Sequence, residues 1–116
     1  RRRVEKDKLS NVTLVQGAIA DPNLPAGTFD MILMVDVYHE LAQPQAFTAR
    51  LKEALKDDGR LVLIEYRGED SAIPIHPLHK MTVDQVRQEL GADGFAVDRV
   101  IDVLPWQHII VLKKAN

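Results

Sequence analysis

FDMILMVDVYHEL, residues 29–41, is the stretch on which the reading of this chain turns: an apolar run broken only by Asp30 ends abruptly in Asp36, Tyr38, His39 and Glu40. Its unbroken hydrophobicity predicts a strand buried on both faces, and strands of that kind belong mostly to the parallel sheets of α/β proteins. In open sheets of this class the ligand crevice lies beyond the carboxyl ends of the strands, which places Asp36 and His39 where a small molecule is expected. The plainer alternative makes Asp36 a turn residue and leaves His39 and Glu40 solvated or capping the next helix.

On either side the chain alternates regularly. Residues 1–8 read as the end of a helix, residues 12–16 as a short strand, and residues 17–28 as a loop punctuated by Pro22, Pro25 and Gly27. After the apolar run, Pro44 is placed to be the first helical residue, with Phe47, Leu51 and Leu55 on one face and Asp57-Asp58-Gly59 as the stop. Residues 61–66 predict a second buried strand that again ends in polar groups, Glu65, Tyr66 and Arg67. A loop with Pro74 and Pro77 leads to Thr82 and Gln85, spaced as a capping box, with Met81 placed to staple onto Val86. Two closing antiparallel strands are expected around Pro105-Trp106, with Trp106 as a hydrophobic plug.

These residues resemble a known family. NVTLVQGAIADPNLPAGTFDMILMVDVYHEL, then a helix, then LKDDGRLVLIEYR and a closing hairpin, is similar to the second half of a class I S-adenosylmethionine-dependent methyltransferase domain. The resemblance is nearest to bacterial small-molecule methyltransferases that carry DVYHE, EYRxED and PLHKM, and it covers nearly the whole chain. It implies a partial Rossmann-like sheet, strands three to seven of the family, with flanking helices and a C-terminal antiparallel hairpin. The family's Gly-rich cofactor loop has no counterpart here, since no Gly-x-Gly-x-x-Gly occurs in the 116 residues. The chain is therefore expected to be a single truncated domain, residues 1–116.

S-adenosylmethionine is the cofactor that the resemblance implies. The family's Gly-Asp pair beside the adenine stands here as Gly17-Ala18, and a methyl side chain cannot accept a hydrogen bond. Adenine recognition then falls to the backbone of Ala18 and Ile19, with the Ile19 side chain against the ring. Val35 and Asp36 correspond to the end of the strand beside the methionine moiety, where a carboxyl group can pair with the cofactor's amino group. Methyl transfer to oxygen or carbon also requires a proton to leave the acceptor. A histidine side chain, with an ordinary pKa of about 6.5, suits that work, which makes His39 the candidate base, with Asp36 placed to help orient the substrate.

No metal is expected. Gln43 stands where the His-Glu-x-x-His pattern needs its second histidine, and Pro77 separates His76 from His79. His79 and Lys80 are instead expected on a loop over the site, facing an anionic acceptor. A net charge of −2 gives no electrostatic case for nucleic acid. The absence of cysteine excludes a disulfide framework and a thiolate nucleophile. No apolar stretch reaches the length of a membrane span, and a cytoplasmic small-molecule enzyme is the expectation. Two alternatives remain, a Rossmann-like dehydrogenase half and a non-catalytic α/β fragment that self-associates. Self-association is expected in either case, because in the family's strand order the edge of the strand at residues 31–35 is left unpaired and apolar.

Overall fold

The computed structural model describes residues 10–115. The helix expected at residues 1–8 lies outside them. The described strands are β1 (Phe29–Val35), β2 (Leu55–Arg67), β3 (Lys80–Met81), β4 (Phe95–Ile101) and β5 (Gln107–Lys114). Helices α1 (Pro44–Ala54) and α2 (Val83–Ala92) alternate with them, and short 3-10 turns span Tyr38–Glu40 and Pro77–His79. The sheet order is β1-β2-β5-β4, with β3 also against β2. β1 runs parallel to β2, whereas β5 is antiparallel to both β2 and β4, so the closing hairpin inserts its second strand into the sheet. This mixed α/β sheet with a C-terminal hairpin is the expected fold class.

The core forms where the inward faces of β2 and β5 meet α1 and α2. Leu61 faces Leu112 and Leu63 faces Ile110 in register, and all four are fully buried together with Val86 and Leu90 of α2. Pro44 occupies the first turn of α1 as expected, where its missing N–H removes no helical bond, and Leu51 and Leu55 are buried. The capping box is present in full, with Thr82 accepting from the Gln85 N–H and Gln85 accepting from the Thr82 N–H. Such caps typically contribute about 1 kcal/mol. The cap anchors the segment that carries His79 to a rigid helix.

Several expectations need correction. Residues 12–16 form no strand; the chain there is extended, with Val12, Leu14 and Val15 exposed, because no described strand offers them a hydrogen-bonding ladder. β1 is buried on one face only. Met34 packs into the core, while Met31, Leu33 and Val35 are 58%, 52% and 46% exposed, since no described element covers their side of the sheet. β2 begins at Leu55 rather than residue 61: α1 stops at Ala54, and Asp57-Asp58-Gly59 lies in a register shift between the pairs Phe29–Leu55 and Met31–Arg60. A Cβ on Gly59 would come within 2.9 Å of the Phe29 carbonyl oxygen, so the shift depends on glycine there.

Trp106 is half exposed and is no plug. The β4–β5 connection is tied down by Arg67 instead, whose guanidinium donates to the Pro105 carbonyl at 2.8 Å and the Leu104 carbonyl at 2.5 Å. The polar end of β2 thus serves structure with Arg67 and, as described next, site architecture with Glu65.

Candidate functional site

The parallel pairing of β1 with β2, Val35 opposite Ile64, brings the polar residues at both strand ends together. Asp36 turns the chain sharply at φ 53°, a left-handed conformation that aspartate tolerates better than β-branched residues do. Its N–H donates to the Ile64 carbonyl at 2.7 Å, and its Oδ2 accepts from Gln107 Nε2 at 2.6 Å. Its other oxygen, Oδ1, is buried with no hydrogen-bond partner. A buried acceptor left open at the carboxyl end of a strand fits an ammonium or hydroxyl donor from a bound molecule.

His39 lies in the 3-10 turn just beyond. Glu65 Oε1 is 2.8 Å from His39 Nδ1 and also accepts the His39 backbone N–H at 3.2 Å, so one carboxylate fixes both the ring and its peptide. The side chains are 7% and 1% exposed. With Glu65 ionised, Oε1 accepts from Nδ1–H and the lone pair of the ring is left on Nε2. Burial pushes the Glu65 carboxyl up from its ordinary value, the hydrogen bonds from His39 pull it back, and the charge of Asp36 adds to the rise. Nε2 points toward Glu40, whose Oε1 is 3.8 Å away, and the His79 ring stands edge-on to His39 with centroids 5.2 Å apart. A cleft of about 190 Å³ opens beside His39, lined by Tyr38, Leu41, Pro44, Lys80, Met81, Gln85 and Glu89. The Tyr38 hydroxyl is held far above the usual phenol range by burial and by Glu89, which keeps it neutral.

The residues singled out in the sequence separate into two groups. Asp36, Val35 and His39 gather at the β1 end. Gly17, Ala18 and Ile19 sit in an exposed loop, and among the described residues no hydrogen bond or ion pair joins that loop to Asp36 or His39. The Ala18 N–H already donates to the Asp21 carbonyl at 2.6 Å, so it is engaged in a turn, whereas the Ile19 side chain is 68% exposed and open to a planar ring. Lys80 is likewise occupied, donating to the Asp70 carbonyl at 3.0 Å rather than standing free for an anion. Glu65 is the residue at this candidate site that spacing along the chain hides. Its signal is the pair of adjacent apolar strands that both end in polar residues.

His108 lies directly opposite Glu65 on β5 and is 2% exposed. Burial lowers its pKa below the ordinary 6.5, partly offset by Glu69 4.0 Å away. In acid the unfolded chain then binds a proton that the folded one refuses, so His108 contributes stability above about pH 6.5 that is lost as the pH falls toward its folded pKa. Glu65, with its pKa raised, acts in the opposite sense and loses stability as pH rises through its folded pKa. Urea midpoints at about pH 7.5 and about pH 5.5 isolate the histidine: His108→Gln is expected to lose less stability on acidification than the parent. An equal loss in both proteins would contradict the assignment.

The profile described as "Methyltransferase domain" matches residues 1–63. Among solved structures, a SAM-dependent methyltransferase from Aquifex aeolicus is 27% identical with a TM-score of 0.85, over 96% of this chain and 59% of that one. The pyocyanin biosynthetic protein PhzM is 27% identical with a TM-score of 0.72, over 99% of this chain and 39% of its own length. The O-methyltransferase NcsB1 from neocarzinostatin biosynthesis, solved with S-adenosyl-L-homocysteine and 1,4-dihydroxy-2-naphthoic acid, shares the fold at 22% identity and a TM-score of 0.79, over 97% of this chain and 37% of that one. The chain thus spans less than two thirds of each. No curated protein matches the sequence. No helix among the described residues is long and apolar enough to cross a membrane.

Proposed function

The chain belongs to the methyltransferase domain family, and from that premise we propose that the whole protein transfers a methyl group from S-adenosylmethionine to a small-molecule acceptor. The observation that carries this reading is the open Asp36 Oδ1 beside a buried His39–Glu65 pair, at the carboxyl ends of two adjacent parallel strands. The cofactor supplies an electrophilic methyl on a sulfonium. Asp36 Oδ1 would take its amino group, the Ile19 side chain would cover the adenine, and Val35 would lie beside the methionine moiety. His39 Nε2 would take the acceptor's proton as the acceptor bonds to the methyl carbon and the methyl–sulfur bond breaks, its electron pair staying on sulfur to leave the neutral thioether S-adenosylhomocysteine, and Glu65 would hold the ring in the tautomer that leaves Nε2 basic.

The chain contains no Gly-x-Gly-x-x-Gly loop, so the 116-residue polypeptide alone is expected to bind S-adenosylmethionine weakly and to turn over poorly. In the whole protein, Asp36→Asn is expected to weaken cofactor binding by about 1–3 kcal/mol, the scale of a charged hydrogen bond. Isothermal calorimetry measures it. Unchanged affinity would reduce Asp36 to a turn residue.

We infer further that the isolated chain self-associates. Among the described residues β1 is the edge of the sheet, paired with β2 alone, and Met31, Leu33 and Val35 present an apolar face beside that edge. Light scattering on dilute protein is expected to return a dimer or larger species, and Met31→Lys with Leu33→Lys to return a monomer. A monomeric parent chain would contradict the inference.

A further inference from the structure

Three side chains with metal-ligating atoms converge beside the cleft from two separate segments. The ligand atoms of His39, Glu40 and His79 all lie within 4.8 Å of one another. Neither segment shows this alone, since Gln43 breaks the local zinc-protease spacing and a separation of 40 residues in sequence lies between His39 and His79. A tetrahedral ion with bonds of about 2.0–2.1 Å needs ligand atoms roughly 3.4 Å apart. The separation of 3.8 Å between His39 Nε2 and Glu40 Oε1 is near that value, and Glu40 and His79 are exposed side chains free to close the remainder by rotation.

What distinguishes this cluster from a chance grouping is the support behind it. A ligating histidine almost always donates its second ring N–H to a carboxylate, a backbone carbonyl or water, which fixes ring direction and raises donor strength. Glu65, buried and 2.8 Å from His39 Nδ1, has that position, and it leaves Nε2 facing the other two ligands. His79 is set on a 3-10 turn followed at once by β3 and the capped α2, a rigid mount for a ligand. His76 is excluded from the set, because its Nδ1 already accepts the Leu78 N–H at 3.1 Å.

We propose that His39, Glu40 and His79 form a divalent transition-metal site, a two-histidine, one-carboxylate set suited to Zn²⁺, with Glu65 orienting His39 from behind. The inference shares His39, and Glu65 as its positioning residue, with the function proposed above. A metal on Nε2 occupies the lone pair that would take the acceptor's proton, so the metal-bound state is one in which this base is switched off.

The test is titration of the 116-residue protein with Zn²⁺ alone, without S-adenosylmethionine, followed by calorimetry. It therefore stands or falls separately from methyl transfer. One equivalent is expected to bind, and His79→Ala and Glu40→Gln are each expected to weaken binding at least tenfold, as is Glu65→Gln by roughly 10–100-fold. His76→Ala serves as the control and retains the parent affinity. Absence of stoichiometric binding, or binding indifferent to His79→Ala and Glu40→Gln, would overturn the site.

Discussion

Replacing His39 with alanine in the whole enzyme is expected to lower kcat by roughly 10²–10⁴-fold, the usual worth of a positioned general base, with affinity for S-adenosylmethionine unchanged. The expectation follows from geometry: Nδ1 is held by a carboxylate at 2.8 Å in a nearly water-free setting, so Nε2 carries the only free lone pair of the ring. Glu65→Gln should give a smaller loss together with a displaced pH profile of kcat, because an amide weakens the preference for the correct tautomer. His39 also packs behind the cleft, so a melting curve must accompany the kinetics, and His39→Asn offers a smaller perturbation. A folded His39→Ala enzyme with undiminished kcat would remove His39 from the chemistry.

The second large effect concerns the scaffold that brings the strand ends together. Leu63 is fully buried at the centre of β2, opposite Ile110 and one strand away from Met34. Leu63→Ala removes buried methyl groups where neighbours on β1 and β5 are fixed by hydrogen bonds and cannot collapse, so a loss of about 2–5 kcal/mol is expected. Against a total stability of about 5–15 kcal/mol for a domain of ordinary size, that is a large share. Denaturant unfolding would read it as a lower midpoint with little change in slope. A loss below about 1 kcal/mol would mean that β2 is not the packed centre of the sheet.

How far the sequence carried this account depends on the range of the interactions involved. The capping box at Thr82 and Gln85 was legible because both partners lie within one helical turn. β1, β2 and the closing hairpin were legible because period and run length are local properties. Residues 12–16 misled, since β-propensity describes a strand that has a partner, and the described structure offers none there. β1 misled in a related way: an apolar run reports what a strand is suited to, whereas Met31, Leu33 and Val35 report what is actually beside it.

At the site, Asp36 and His39 followed from the rule that ligands gather at strand ends. Their partners did not follow. Glu65 reaches His39 across 26 residues, Gln107 reaches Asp36 across 71, and the approach of His79 is set by the loop that returns to α2. The first two contacts follow from sheet register and the third from the path of a loop, neither of which one-dimensional spacing encodes.

The central claim is that the open oxygen of Asp36 and the Nε2 of His39 face one bound cofactor and its acceptor. A crystal structure of the whole protein with S-adenosylhomocysteine tests this most directly. The amino group of the ligand is expected within about 3 Å of Asp36 Oδ1, the adenine against Ile19, and His39 Nε2 turned toward the sulfur side of the ligand. A ligand whose amino group is held elsewhere, with Asp36 Oδ1 still unpartnered and His39 turned away, would contradict it.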